Sequence, residues 1–253
     1  MAKIICITNQ KGGVGKTTTA VNLSSCLAAV EKKTLLVDMD PQGNSTSGVG
    51  LDKNECRPNI YQVLMGEATL QEAVKPTELK KLFCVPSNSH LTGAEVELVG
   101  MEERESRLKQ ALAPIEGGFD FILVDCPPSL GFLTLNALTA AHSVLIPVQS
   151  EYYALEGLSS LMETVELVRE SLNPRLEVEG ALLTMYDSRT RLSPQVSEEV
   201  RKFFGEKVYN TVIPRNVQLS ESPSFGKPII LYDIRSSGAQ AYLNLTKEIV
   251  AHD

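Results

Sequence analysis

Residues 9–18, Asn9-Gln10-Lys11-Gly12-Gly13-Val14-Gly15-Lys16-Thr17-Thr18 (NQKGGVGKTT), decide the fold. They end as a phosphate-binding loop ends, with Gly15, Lys16 and Thr17 in the last three places of G-x-x-x-x-G-K-[ST]. Gln10 stands where the first glycine of that pattern belongs, and an extra lysine, Lys11, lies five residues before the usual one. Gly12, Gly13 and Gly15 allow a tight turn that aims backbone N–H groups inward. A helix beginning near Lys16 adds its N-terminal partial positive charge. Together they form a nest for phosphates. Lys16 is placed to reach the β- and γ-phosphates of a nucleotide, and the Thr17 hydroxyl to bind Mg2+.

Working outward, the loop is preceded by an apolar run, 3–8 (KIICIT), and followed by a stretch of helical spacing, 17–30. Further apolar runs occur at 33–40, 81–87, 119–128, 142–150, 178–187 and 207–216. Apolar runs without alternation suit strands of a parallel sheet covered on both faces. Helical stretches fall between or after them, near 91–113, 130–141, 153–171, 193–204 and 237–251. This order predicts an α/β fold: a doubly wound, mostly parallel sheet flanked by helices, carrying a P-loop NTPase site. The segment 44–80 is the least regular and is expected to form small helices over the nucleotide site. No Gly, Ser or Pro linker and no internal repeat interrupts the pattern, so 1–253 reads as a single domain.

The composition narrows the class. Of 253 residues, 43% are hydrophobic, which suits a globular chain with a sizeable core. No apolar run is long enough to span a membrane, and the N-terminus does not read as a signal peptide. Five cysteines, widely spaced, fit neither a disulfide framework nor a zinc pattern, and so read as reduced and mostly buried. Cys126 is expected to lack a mate. The net charge is −7, but unevenly placed: residues 1–174 carry 14 Lys and Arg against 21 Asp and Glu, whereas residues 175–253 carry 10 of each.

In such sheets ligands sit at the carboxyl ends of the strands. Asp125 ends the run FILVD, an arrangement that lets an aspartate hold Mg2+ through water. Asp38 and Asp40 close the second strand in VDMDPQGN, on the same face of an extended chain. A carboxylate there can orient the attacking water. Asp40 is favoured for this, while Asp38 stays open between that role and a solvated strand end. No glutamate is placed as an obvious general base, so hydrolysis should rest on positioning and charge and be slow.

The motifs KGGVGKTT, LLVDMDPQGN, ILVDCPPSLG, EYYALEGL, TVIPRN and SPSFGKPI, in this order along practically the whole chain, resemble those of the ParA/Soj family of chromosome- and plasmid-partition ATPases. The first motif alone is shared with MinD division-site proteins and the nitrogenase iron protein. The resemblance implies a deviant Walker A loop, Lys11 through Thr18 with Val14 in its middle, that binds ATP and Mg2+. It implies that Lys11 reaches across an ATP-dependent homodimer to the partner's phosphates, and that Lys11, Lys16 and Asp40 act in the reaction. It assigns Thr17, Asp40 and Asp125 to Mg2+, Pro214 and Asn216 to the adenine end, Asp40 to a first switch and Asp125 through Gly131 to a second. A second ammonium at a desolvated interface is physically sensible, since it offsets phosphate charge stripped of water.

Compact members of this family bind double-stranded DNA without sequence preference, and a ParB-type centromere-binding protein stimulates hydrolysis. The resemblance therefore implies a cytoplasmic, nucleoid-associated protein. Some chromosomal members also act on the replication initiator, and no residue here speaks for it. The candidate DNA contacts are Arg189 and Arg191 in YDSRTRLSPQ, joined by Lys202, Lys207, Arg215, Lys227 and Arg235. Arginines suit phosphates because each forks onto two oxygens. Gln218 departs from the family, which usually has a basic residue there. The rival reading is a MinD-like ATPase that cycles on a membrane. Such proteins end in a basic amphipathic helix, whereas this chain has one lysine after Gln240, Lys247, with Glu248 beside it. Membrane docking is not expected.

Overall fold

The computed structural model describes residues 1–151 and 156–251. Strands β1 (Lys3–Ile7), β2 (Thr34–Asp38), β3 (Lys75–Pro76), β4 (Leu82–Val85), β5 (Phe121–Asp125), β6 (Ser143–Gln149) and β7 (Glu177–Thr184) form a sheet in the order β3-β4-β2-β5-β1-β6-β7. All neighbours are parallel except β3, which runs antiparallel along β4. The helices are α1 (Lys16–Ala29), α2 (Asn44–Gly48), α3 (Ile60–Met65), α4 (Leu70–Ala73), α5 (Leu91–Glu97) and α6 (Arg107–Leu112). After β5 come α7 (Phe132–Ala140), α8 (Glu156–Ser171), α9 (Leu192–Phe204), α10 (Val217–Glu221), α11 (Ile229–Tyr232) and α12 (Ser237–Ala251). The doubly wound α/β fold is borne out.

Side-chain alternation along the strands explains the two layers. In β1, Ile4 and Cys6 enter the core under α3 to α9, while Ile5 and Ile7 enter the core under α1 and α12. In β5, Ile122 and Val124 take the first side, Phe121 and Leu123 the second. Because both faces are covered, these strands are apolar throughout. On the second side α1 is held to α12 by Thr19 Oγ1 and Tyr242 OH, 3.1 Å apart.

Four expectations need correction. The run 207–216 is not a strand. It touches β7 at one bridge, Ala181 with Val208, and the chain just beyond β7 at a second, Tyr186 with Pro214. Between them the Glu248 carboxylate takes the backbone N–H of Asn210 (2.9 Å) and of Thr211 (2.8 Å), which pulls the chain off the sheet. The stretch 91–113 is not one helix: α5 passes into a single 3-10 turn at Leu98–Gly100, and Glu103 at φ 51° precedes α6. Gly100 and the like-charged run Glu102, Glu103, Glu105 disfavour a continuous helix there. The segment 44–80 does form short helices, but it also supplies β3, whose two residues, one a proline, carry no periodicity to read. Finally, Cys126 has a neighbour, since its Sγ lies 3.4 Å from Cys6 Sγ on the adjacent strand. Of the expected helix 153–171, and of the motif EYYALEGL, residues 152–155 lie outside the described residues.

Candidate functional site

β1 ends at Ile7 in the middle of the sheet, between β5 and β6. The loop that follows therefore opens where the connections diverge, the usual ligand crevice of such folds. Gly13 (φ 74°) and Gly15 (φ 89°) lie in the left-handed region, which is where the turn needs glycine. Between them Val14 points inward and is buried, and its carbonyl accepts a bond from Thr184 Oγ1 at 2.8 Å. The loop is thereby anchored to the end of β7. Asn9 anchors its other side, donating to Pro147 O (2.8 Å) and accepting from Lys11 N (3.0 Å). Gln10, in the place of the missing glycine, donates to Ser160 Oγ on α8 at 2.9 Å.

The two lysines are placed differently. Lys16 is 6% exposed, and its Nζ folds back onto the carbonyl oxygen of Lys11 at 3.0 Å. Burial pulls this ammonium below its usual range, and the charges of Asp125 and Asp40 oppose that pull. Lys11 is half-buried, and its ammonium has no partner among the described residues. Gly12 and Gly13 border open space, with nothing within 4 Å of a Cβ built on either.

Across from the loop, Asp38 and Asp125 face each other in register on β2 and β5, both fully buried. The solvated strand end left open for Asp38 is thus excluded. Two neighbouring residues of α2 hold the pair. Ser45 Oγ donates to Asp125 Oδ2 at 2.7 Å, and Thr46 donates to Asp38 Oδ2 through its N–H (2.8 Å) and its hydroxyl (2.7 Å). Asp38 Oδ1 accepts from Asp40 N at 3.2 Å. Burial first, then the charge of Asp40 on Asp38 and of Asp38 and Asp40 on Asp125, push both carboxyls above the ordinary carboxylate range. These α2 contacts were not foreseen. The serine and threonine sit in an irregular segment whose sequence gives no sign of where it lands.

Asp125 Oδ1 is buried with no hydrogen-bond partner, and the Thr17 side chain faces the same carboxylate. Asp40 lies nearby, 8% exposed, with Oδ1 accepting from Gln42 N at 2.9 Å. Among the described residues no three His, Cys, Asp or Glu side chains cluster to hold a metal. Mg2+ does not require such a cluster, since it is held by one or two carboxylates together with phosphate and water oxygens. A carboxylate oxygen without a donor, beside a threonine hydroxyl at the mouth of a phosphate nest, fits that ion.

On the far side of Gly15 a cavity of about 260 Å3 is lined by Thr18, Met185, Pro214, Asn216, Leu219 and their neighbours. Pro214 and Asn216 are thus brought to the loop. The Asn216 side chain is already engaged, accepting from Leu219 N at 3.0 Å and donating to Ser237 Oγ at 3.0 Å. Met185 lines the same cavity at φ 51°, a costly conformation for a side chain of its size.

The candidate DNA cations do not form one free set. Arg189 and Arg191 lie beyond the end of β7, on the nucleotide side of the sheet. Arg189 is forked onto Asp187 through Nε (2.9 Å) and a terminal nitrogen (2.8 Å), although its side chain is 84% exposed. Lys202 pairs with Glu198 at 2.8 Å and Arg215 with Glu151 at 3.5 Å. Arg191, Lys227 and Arg235 are exposed, with no partner among the described residues. Lys207 lies at the opposite end of the sheet, in a cavity with the strand-start residues Lys3, Ser143 and Glu177.

A family model described as an AAA domain matches residues 2–178. The Soj sporulation initiation inhibitor of Bacillus subtilis is 59% identical, over all of this chain and all of its own length. The chromosome partitioning protein ParA of Myxococcus xanthus is 58% identical, over all of this chain and 89% of its own. Among solved structures, cobyrinic acid a,c-diamide synthase from Mycobacterium smegmatis with bound ADP and magnesium superposes with a TM-score of 0.88, at 37% identity, over all of this chain and 95% of its own. Relatives more than half identical along the whole of this sequence fix its place: the chain belongs to the ParA/Soj family of chromosome-partitioning ATPases.

Proposed function

We propose that this partition ATPase works as a nucleotide-timed DNA clamp. It binds ATP with Mg2+ at residues 11–18, with Thr17, Asp125 and Asp40 toward the ion and the Pro214–Asn216 cavity around the base. It pairs with a second copy across the nucleotide and holds double-stranded DNA without sequence preference while paired. Slow hydrolysis, accelerated by a ParB-type partner, releases it. The action is on the nucleoid and not on a membrane, and no helix among the described residues is long and apolar enough to cross one. Mg2+ supplies charge compensation at the phosphates. The protein positions the phosphates through the loop N–H groups and Lys16, and Asp40 orients the attacking water.

One observation carries the reading. The second lysine of the loop is spare: Lys16 already occupies the inner position, while the Lys11 ammonium has no partner among the described residues and the glycines beside it border open space. A lysine and two glycines at the lip of a phosphate nest suit a second copy carrying its own phosphates. Gly12→Val tests this. A Cβ at this position meets nothing within 4 Å in one protomer, so folding and ATP affinity should stay near wild type. The ATP-dependent dimer seen by size exclusion should weaken by at least about tenfold, as overpacking of a close contact costs about 1–3 kcal/mol. A normal ATP dimer would remove Gly12 from the interface.

DNA binding has its own check. Arg189→Glu with Arg191→Glu should eliminate ATP-dependent DNA binding and leave unstimulated hydrolysis intact. Gln218→Arg should tighten binding and steepen the log–log salt slope by about two per dimer, one added phosphate contact on each copy. A salt titration of all three proteins decides. Undiminished binding by the double variant removes the surface, and an unchanged slope for Gln218→Arg places residue 218 off the DNA.

A further inference from the structure

We infer that Glu95 is a positioning residue for nucleotide hydrolysis: its carboxylate, reaching from α5, sets the start of α7 and through it the 126–131 loop that continues from Asp125. The inference rests on the reading of Asp125 as a residue of the Mg2+ site.

The first N–H groups of any helix need acceptors from outside it. In α7 the residue before the helix is Gly131, which has no side chain to offer. Glu95, 37 residues before Phe132, fills the role. Its Oε2 accepts from Phe132 N at 2.9 Å and its Oε1 lies 3.4 Å from Leu133 N. The fit is mutual, because a Cβ on Gly131 would collide with Glu95 Oε1 and lie 2.6 Å from Oε2. Gly131 is small because the carboxylate occupies its side-chain space. The negative charge also meets the positive end of the helix dipole.

The connection to Asp125 is short and stiff. Cys126-Pro127-Pro128-Ser129-Leu130-Gly131 contains two prolines with fixed φ and no N–H. Its far end is fastened to α7, where Thr134 Oγ1 donates to Ser129 O at 2.6 Å. Its near end holds Asp125, whose Oδ1 has no partner. A strap of this kind passes a displacement of the first turn of α7 to the strand end with little absorbed between. The segment leading into α6 braces the same helix. Asn136 donates to Arg104 O at 2.7 Å and accepts from Leu108 N at 3.1 Å, and the Arg104 guanidinium stacks 4.7 Å from the centre of the Phe132 ring. With Glu95 gone these braces keep α7 folded, but its first turn loses its acceptor. The loop then samples poses in which Asp125 is misaligned.

The test uses Glu95→Ala, Glu95→Gln, Gly131→Ala and the double variant Glu95→Ala with Gly131→Ala. Each is measured for ATP affinity, hydrolysis rate and melting temperature. Glu95→Ala should lower kcat about fivefold, the size of a lost helix cap, with ATP affinity unchanged. Gly131→Ala should do the same, because the new methyl expels the carboxylate while Glu95 is still present. The double variant should then be no slower than either single one, since both remove one contact. Glu95→Gln keeps an acceptor oxygen and should recover most of the rate. A wild-type kcat in Glu95→Ala overturns the inference, as do losses that multiply in the double variant, or a glutamine variant that is as slow as alanine and melts equally low. ATP affinity of the wild-type protein separates the two readings. Its absence overturns the nucleotide site and this inference together, whereas normal affinity with a silent Glu95→Ala overturns this inference alone.

Discussion

Lys16→Ala should abolish ATP binding, raising Kd by about 150- to 4,000-fold in a filter-binding or fluorescent-nucleotide titration. Lys16 is the cation inside the loop, and its Nζ is held by the Lys11 carbonyl where phosphate oxygens would enter. Removing one partner of a desolvated charge pair costs about 3–5 kcal/mol, because the other charge is left uncompensated. Here the triphosphate would be that charge, with Asp125 and Asp40 adding negative potential around it. Lys11 should not substitute within one protomer, since it meets Lys16 through its backbone oxygen and its ammonium has no partner among the described residues. Lys11→Ala is therefore the control: it should keep ATP affinity in the monomer. An affinity within about threefold of wild type for Lys16→Ala would contradict the assignment of the loop, as that is below one charge-assisted bond.

The second large effect is expected at Asp40. Asp40→Ala should bind ATP and pair normally, yet lose turnover by about 100- to 10,000-fold, the range associated with a positioned acid–base group. Geometry chooses between the two strand-end carboxylates. Asp38 is sealed, with Oδ2 accepting twice from Thr46 and Oδ1 once from the Asp40 N–H. Among the described residues the Asp40 carboxylate accepts only from Gln42 N, through Oδ1, and Asp40 stays 8% exposed, so its other carboxylate oxygen is left to hold a water. Phosphate release measured with and without the partner protein is the check. Hydrolysis at the wild-type rate would remove Asp40 from the reaction.

Much of this was legible in the sequence. The phosphate loop could be read because its glycines and lysine are local, and strand, turn and helix follow one another without interruption. The buried strands could be read because residues covered on both faces must be apolar. What escaped depends on contacts between distant residues. Nothing near Asn210 and Thr211 says that Glu248 will take their N–H groups and end a strand. The burial of Asp38 hangs on Thr46, in a helix of five residues with no apolar period. The pairing of Arg189 with Asp187 was within reach, since both lie in one short loop, yet a count of charges treats them as independent. No mate for Cys126 is legible near it in the sequence, since Cys6 lies 120 residues away, yet adjacent strands bring their sulfurs together.

The strand order carries a consequence for how the chain can assemble during its synthesis. β1 never pairs with β2, because β5 lies between them, and the two neighbours of β1 are β5 and β6. Of the seven strands, the one that carries the phosphate loop is made before the others and must wait. No hydrogen-bonded neighbour exists for it until Phe121–Asp125 has been made. At about 5–20 residues per second that delay is on the order of 6–25 s. For that interval Ile4, Ile5, Cys6 and Ile7 are an unpaired apolar segment, and the nucleotide loop can take its final shape only when the strand bearing Asp125 slides in beside it.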